Sequence, residues 1–223
     1  MDSLGIIQIT SGLSTDHSRQ ELLVRRIIPA CIRAAKGAYV LVSPSDTQRS
    51  VVEAHGGAFS KYTGWDKDMS RKWRQGMEHL DTEWVAFFAD DVVPDDTWRE
   101  DMLGFLMHKP PGQYGFRLMA ADGDRHEHGE DWMEVFMVEE SHPLASFACM
   151  SRPLEYGADS STAYVANCVV HKDVLRLVEP FGVFGKAPDV MWSLAIRECG
   201  FPVGFNQKAR AFHLGDRCDH RHV

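Results

Sequence analysis

The chain has 223 residues, 44% of them apolar, enough to bury one substantial core, so one domain or a tightly joined pair is expected rather than a core with a separate binding module. Its formal net charge of -8 is spread evenly, with 13 Lys/Arg against 16 Asp/Glu over residues 1–110 and 11 against 16 over 111–223. There is no basic arm or tail, so general nucleic-acid affinity has no support and only a local patch made by folding escapes that argument.

Five cysteines (31, 149, 168, 199 and 218) are scattered without a CxxC pair, which reads as reduced, cytoplasmic thiol usage. The most apolar run, WVAFFA at 84–89, is far below membrane-spanning length, so no membrane segment is expected.

Residues 5–10, GIIQIT, form a short apolar run that closes on Ser11-Gly12, the pattern of a buried strand ending in a loop. A helix should follow. Ser18 and Glu21 have capping-box spacing, and Leu22, Leu23, Ile27, Ile28, Cys31, Ile32 and Ala35 recur on one face, with Pro29 as a kink. Tyr39 to Val42 supplies a second strand. Helices near 46–55 and 68–80 and a strand at 84–88 continue the alternation, which implies an α/β fold with a parallel sheet and helices on both faces. Ligands of such sheets collect beyond the carboxyl ends of the strands, so Ser11, Ser43 to Asp46 and Asp90-Asp91 are the first candidates for a site.

After a helix near 95–107 the pattern changes. Residues 110–165 contain Pro110-Pro111 and the polar stretch ADGDRHEHGED at 121–131, and they predict antiparallel strands and long loops. A strand at 163–170, a short helix at 171–178, a helix at 188–199 and a strand or hairpin at 202–213 complete the reading. His126, His128 and the acids beside them read most simply as a polar loop, and the residues after His213 as a solvated terminus.

The segment EWVAFFADDVVPDDTW at 83–98 runs a buried strand directly into paired carboxylates. Two adjacent acids at a strand end either face solvent or bind something cationic, because neither tolerates burial alone. The simple reading is a solvated turn with Asp95 or Asp96 capping the next helix, and it is preferred for Asp95-Asp96; for Asp90-Asp91 metal binding is preferred over it.

This segment resembles the one that carries the DxD-type motif in the large inverting group of GT-A glycosyltransferases, the family-2-like nucleotide-sugar transferases. RQGMEHLDTEW at 74–84 follows the spacing of the group's upstream helix and turn, with Arg74 where Asn is usual and Thr82 where Gly is frequent. PDVMWSLAIRECGFPVGFNQKARAFHLG at 188–215 resembles its acid-led helix, its Gly-aromatic turn and its last strand ending in His. The resemblance implies one GT-A-like domain, a mixed Rossmann-like sheet whose residues 1–110 bind the nucleotide sugar and whose residues 111–223 bind the acceptor and carry out catalysis.

It further implies a metal-dependent transfer from a nucleotide diphosphate sugar, a UDP-sugar first among donors, to an acceptor that the sequence does not identify. Asp91 and His213 would hold Mn2+ or Mg2+, Asp90 would lie near the ribose, and Asp189 would be the general base. Thr10, Ser11, Ser43 and Asp46 stand where the group holds base and ribose, and Arg74 where it can meet the diphosphate; each is also a residue type common in turns, caps or solvated helix faces. Asp189 at a helix start is equally what a cap looks like.

Two departures keep other readings open. The strand ends Ala89-Asp90-Asp91 where a third acid is frequent, and Pro188 precedes Asp189 where Glu is usual, so a silent nucleotide-sugar-binding module is one alternative. A sugar nucleotidyltransferase is the other, disfavoured because ITSGLSTDHSR lacks a glycine-rich basic loop.

Overall fold

The computed structural model describes residues 4–10, 17–65, 68–120, 134–138, 147–151, 167–178 and 188–213. Apolar runs form the central strands: β1 is Leu4–Ile9, β2 Tyr39–Ser43 and β4 Trp84–Phe88, all buried along their length. Between them, α1 (His17–Leu22) continues through a π-helical turn (Leu23–Ile27) into α2 (Ile28–Ala35). His17 is already helical, so Ser18 lies inside the helix rather than at the capping position its spacing suggests. Pro29 stands in the first turn of α2, directly after the wider π turn, which absorbs the break that a residue without an N–H makes in the helical ladder.

After β2, Ser45 caps a 3-10 turn (Asp46–Gln48) by accepting from the Thr47 N–H, and α3 (Arg49–Ala54) follows. The chain then forms β3 (Ala58–Lys61), α4 (Met69–Met77) and, beyond β4, the three-residue β5 (Val92–Pro94) and α5 (Trp98–Leu106). Asp95 does not cap α5 as expected; its carboxylate pairs with Arg210 at 2.8 Å, and Thr97 precedes the helix.

The later elements are β6 (Gln113–Ala120), β7 (Glu134–Val138), β8 (Phe147–Ser151), β9 (Asn167–His171), α6 (Lys172–Leu177), α7 (Pro188–Glu198) and β10 (Val203–His213). The main sheet has the order β3-β2-β1-β4-β9-β6-β10-β5, and β7 pairs with β8 in a separate two-stranded sheet. β3, β2, β1 and β4 are mutually parallel, β9 is antiparallel to both β4 and β6, and β10 is parallel to β6 but antiparallel to β5. Pro94 is tolerated because β5 is an edge strand.

Alternation along β1 divides the core in two. Leu4 and Ile6 join residues of α2, α3 and α5, whereas Ile7 and Ile9 join Trp73 of α4, Val174 of α6, and Trp192 and Ile196 of α7. Each such side chain, fully buried, contributes about 1.5–3 kcal/mol. β4 repeats the division with aromatics: Phe88 meets Trp98 at a centroid distance of 5.2 Å on one face, and Phe87 meets Trp73 at 4.9 Å and Trp192 at 5.6 Å on the other. The strand that carries the paired acids is therefore anchored to helices on both sides.

Candidate active site

The parallel directions of β1, β2, β3 and β4 bring Thr10, Ser43, Lys61 and Asp90-Asp91 to one edge of the sheet. Because β10 runs parallel to β6, and β6 opposes β9 as β4 does, His213 ends at that same edge. There β10 folds against β5 with His213 directly opposite Val92, one residue from Asp91, so the backbones of the two expected metal ligands are adjacent. One carboxylate oxygen of Asp91, Oδ1, is buried in the turn. The His213 side chain lies outside the described residues, and among the described residues no three His, Cys, Asp or Glu side chains gather as a metal cluster.

The acid turn is held from beneath. The Val92 N–H donates to the Ala89 carbonyl at 3.4 Å, and the amide of Gln8, fully buried in β1, donates to the same carbonyl at 2.8 Å. Gln8 in turn accepts from the Tyr39 hydroxyl at 2.6 Å. Burial drives the Tyr39 phenol well above its usual pKa, so it stays protonated and remains a donor. On the far side of the turn, the buried Cys31 thiol donates to the Val92 carbonyl at 3.7 Å.

Thr10 and Ser43 are at the strand ends, as expected, but their hydroxyls are buried and engaged with each other. Thr10 Oγ1 donates to Ser43 Oγ at 2.9 Å, Ser43 Oγ to Gln48 Oε1 at 3.1 Å, and Gln48 Nε2 to Gln20 Oε1 at 2.6 Å. They shape the floor of this edge. Ser11 and the polar loop 121–131 lie outside the described residues, as do residues 214–223.

Asp46 is exposed and holds two cations, Lys61 at 2.6 Å and Arg49 at 2.9 Å; the Lys61 and Arg49 hydrogen bonds keep its carboxyl below the usual value. On α4, Arg71 and Arg74 are both exposed, and Arg71 pairs with Asp68. Lys72 between them is fully buried: its ammonium donates to the Thr10 carbonyl at 2.8 Å and lies 5.4 Å from the Tyr62 ring centroid. Lys72 reads from sequence, with Arg71 and Arg74, as part of a solvated or diphosphate-facing helix surface, which its burial corrects, and Gln8 escaped the sequence reading. Their signals were a cation beside Trp73 and Gly76, which face the sheet, and a lone polar residue inside an apolar run.

Asp189 lies in the first turn of α7, and its side chain is outside the described residues. α7 joins β10 through the short stretch 199–202 and so runs antiparallel to it. Its beginning therefore points to the carboxyl edge, and Trp192, one turn on, rests against Phe87 near the end of β4. Two surface cavities lie away from this edge, one of about 410 Å³ at the amino ends of β2 and β3 and one of about 230 Å³ between α2 and α5.

No protein-family model matches the chain, and no curated protein does. Among solved structures it is similar to S. aureus TarS, residues 1–349, at 11% identity and a TM-score of 0.58, over 94% of this chain and 60% of that one. It is also similar to GalNAc-T7, solved with UDP, GalNAc and Mn2+, at 9% identity and a TM-score of 0.68, over 95% of this chain and 43% of that one. The chain thus spans 60% or less of either protein.

Proposed function

We propose, from the GT-A fold that the two likenesses show, an α/β fold with a mixed sheet and helices on both faces, that the chain is a glycosyltransferase, moving a sugar from a nucleotide diphosphate sugar, a UDP-sugar in the first instance, to an acceptor hydroxyl with inversion. The observation that carries this reading is the β5–β10 register, with His213 opposite Val92 and one residue from Asp91.

A carboxylate with a buried oxygen and an imidazole form a donor set suited to Mn2+ or Mg2+, so Asp91 and His213 would hold the ion, and the GalNAc-T7 structure was solved with Mn2+ as well as UDP and GalNAc. When bound, such an ion stabilises the negative charge that develops on a departing diphosphate. Asp90 would accept from the ribose hydroxyls, and the exposed Arg74 would meet the diphosphate. Asp189, at a helix start whose dipole favours the ionised carboxylate, takes the proton of the acceptor hydroxyl as the acceptor oxygen bonds to the anomeric carbon. The bond from that carbon to the diphosphate breaks in the same displacement, which inverts the centre and releases the nucleotide diphosphate.

Calorimetry with UDP tests the reading. Binding is expected in Mn2+ and should weaken at least about tenfold, ~1.4 kcal/mol, in Asp91→Asn and in His213→Ala. If both variants bind as the parent does, the metal assignment is wrong. If no nucleotide or nucleotide sugar raises the melting temperature with Mn2+ present, the glycosyltransferase reading itself falls.

A further inference from the structure

A fully buried amide in the middle of a core strand is costly unless its groups are used, and Gln8 uses them on two neighbours: Tyr39 from β2 on one side and the Ala89 carbonyl on the other. The same carbonyl accepts from Val92 N–H, closing the turn that contains Asp90 and Asp91. The Cys31 thiol engages the carbonyl on the other side of those acids, at Val92. Both peptide carbonyls that bracket the paired carboxylates are thus held by buried side chains from β1 and α2.

We infer that Gln8 is a positioning residue for the acid turn, the Tyr39–Gln8–Ala89 relay fixing where the carboxylates of Asp90 and Asp91 stand at the sheet edge. This rests on the glycosyltransferase reading for its functional consequence and on the hydrogen bonds alone for its structural one. A carboxylate that must meet a cation at a fixed place gains from a rigid peptide behind it, because a ligand left to wander loses affinity as it is ordered on binding. The amide of Gln8 is suited to the task, since its oxygen receives the Tyr39 proton while its nitrogen donates onward, which orients the group without ambiguity.

The test compares Gln8→Met, which keeps the side-chain length and removes both hydrogen bonds, with Ile6→Val, a packing change on the same face of β1 with a modest stability loss. Two quantities are read: the Kd for UDP in saturating Mn2+, and the amide exchange rates of Asp91 and Val92. Gln8→Met should raise the Kd about tenfold or more and speed exchange at the turn, while Ile6→Val stays within about twofold on both. Tyr39→Phe removes only the outer bond and should move both readings in the same direction by less; it replaces Gln8→Met if that variant does not fold.

Unchanged exchange at Asp91 and Val92 in the relay variants overturns the inference, whatever happens to binding. Faster exchange with an unchanged Kd overturns it as well, because the relay would then order the turn without serving the site. If the parent protein binds no UDP with Mn2+, the glycosyltransferase reading fails, and the exchange comparison alone decides whether Gln8 positions the turn.

Discussion

The Lys72 ammonium and the Thr10 carbonyl meet at 2.8 Å, tying the first turn of α4 to the carboxyl end of β1. A lysine with no exposed surface is rare, because its charge must be satisfied inside the protein. Lys72→Met keeps the stem and removes both charge and donor. Chemical denaturation should show a loss of about 1–3 kcal/mol. An unchanged midpoint would mean that the ammonium contributes nothing to holding the strand end.

Gly76 faces Ile7 so closely that an added Cβ would stand 2.5 Å from Ile7 Cγ2. Helix propensity alone predicts that Gly76→Ala stabilises α4 by about 1 kcal/mol, whereas forcing a methyl into a filled core costs about 1–3 kcal/mol. The overlap is with a fully buried, branched side chain, so the steric cost should win. A lower melting temperature is expected, and a rise would show that Ile7 can rotate out of the way.

Asp46 should titrate below the usual 3.8 for aspartate, held down first by Lys61 and then by Arg49. Its folded pKa lies below the unfolded one, so its ion pairs stabilise the fold above the unfolded value and lose that effect as pH falls through the folded pKa. Carboxyl NMR should show the low midpoint and its rise in Lys61→Met. A midpoint at or above 3.8 in the parent protein would contradict the pairing.

Asp189→Asn keeps the shape of the proposed base and removes its basic lone pair. Turnover should fall about 100- to 10,000-fold while UDP and Mn2+ binding persist. Transfer within about tenfold of the parent rate would reduce Asp189 to a helix-capping residue.

The central strands were legible because buried parallel strands are continuous apolar runs, as in Leu4–Ile9 and Trp84–Phe88. β3 was not, since Ala58–Lys61 is a half-exposed edge strand whose composition resembles a loop. β5 was missed for another reason: three residues show no periodicity, and Val92–Pro94 is a strand only by virtue of pairing with β10. The capping-box signal at Ser18 was real spacing overridden by the helix that begins before it. At the site, Asp91 and His213 were legible as residue types through family resemblance, but their adjacency depends on a ladder between positions over a hundred residues apart. Lys72 was hidden by the habit of charged helix residues to face water.

β10 enters the sheet between β6 and β5, and β5 has no other partner strand among the described residues. The edge of the sheet beside the paired acids is therefore built by a segment synthesised about a hundred residues after them. Contacts so distant along the chain form late, because the loop entropy between them must be overcome before pairing offsets it. During synthesis, a ribosome that has completed the acid turn has made β5 without its partner strand, and β5 gains that partner only when β10, the last described strand, closes on it.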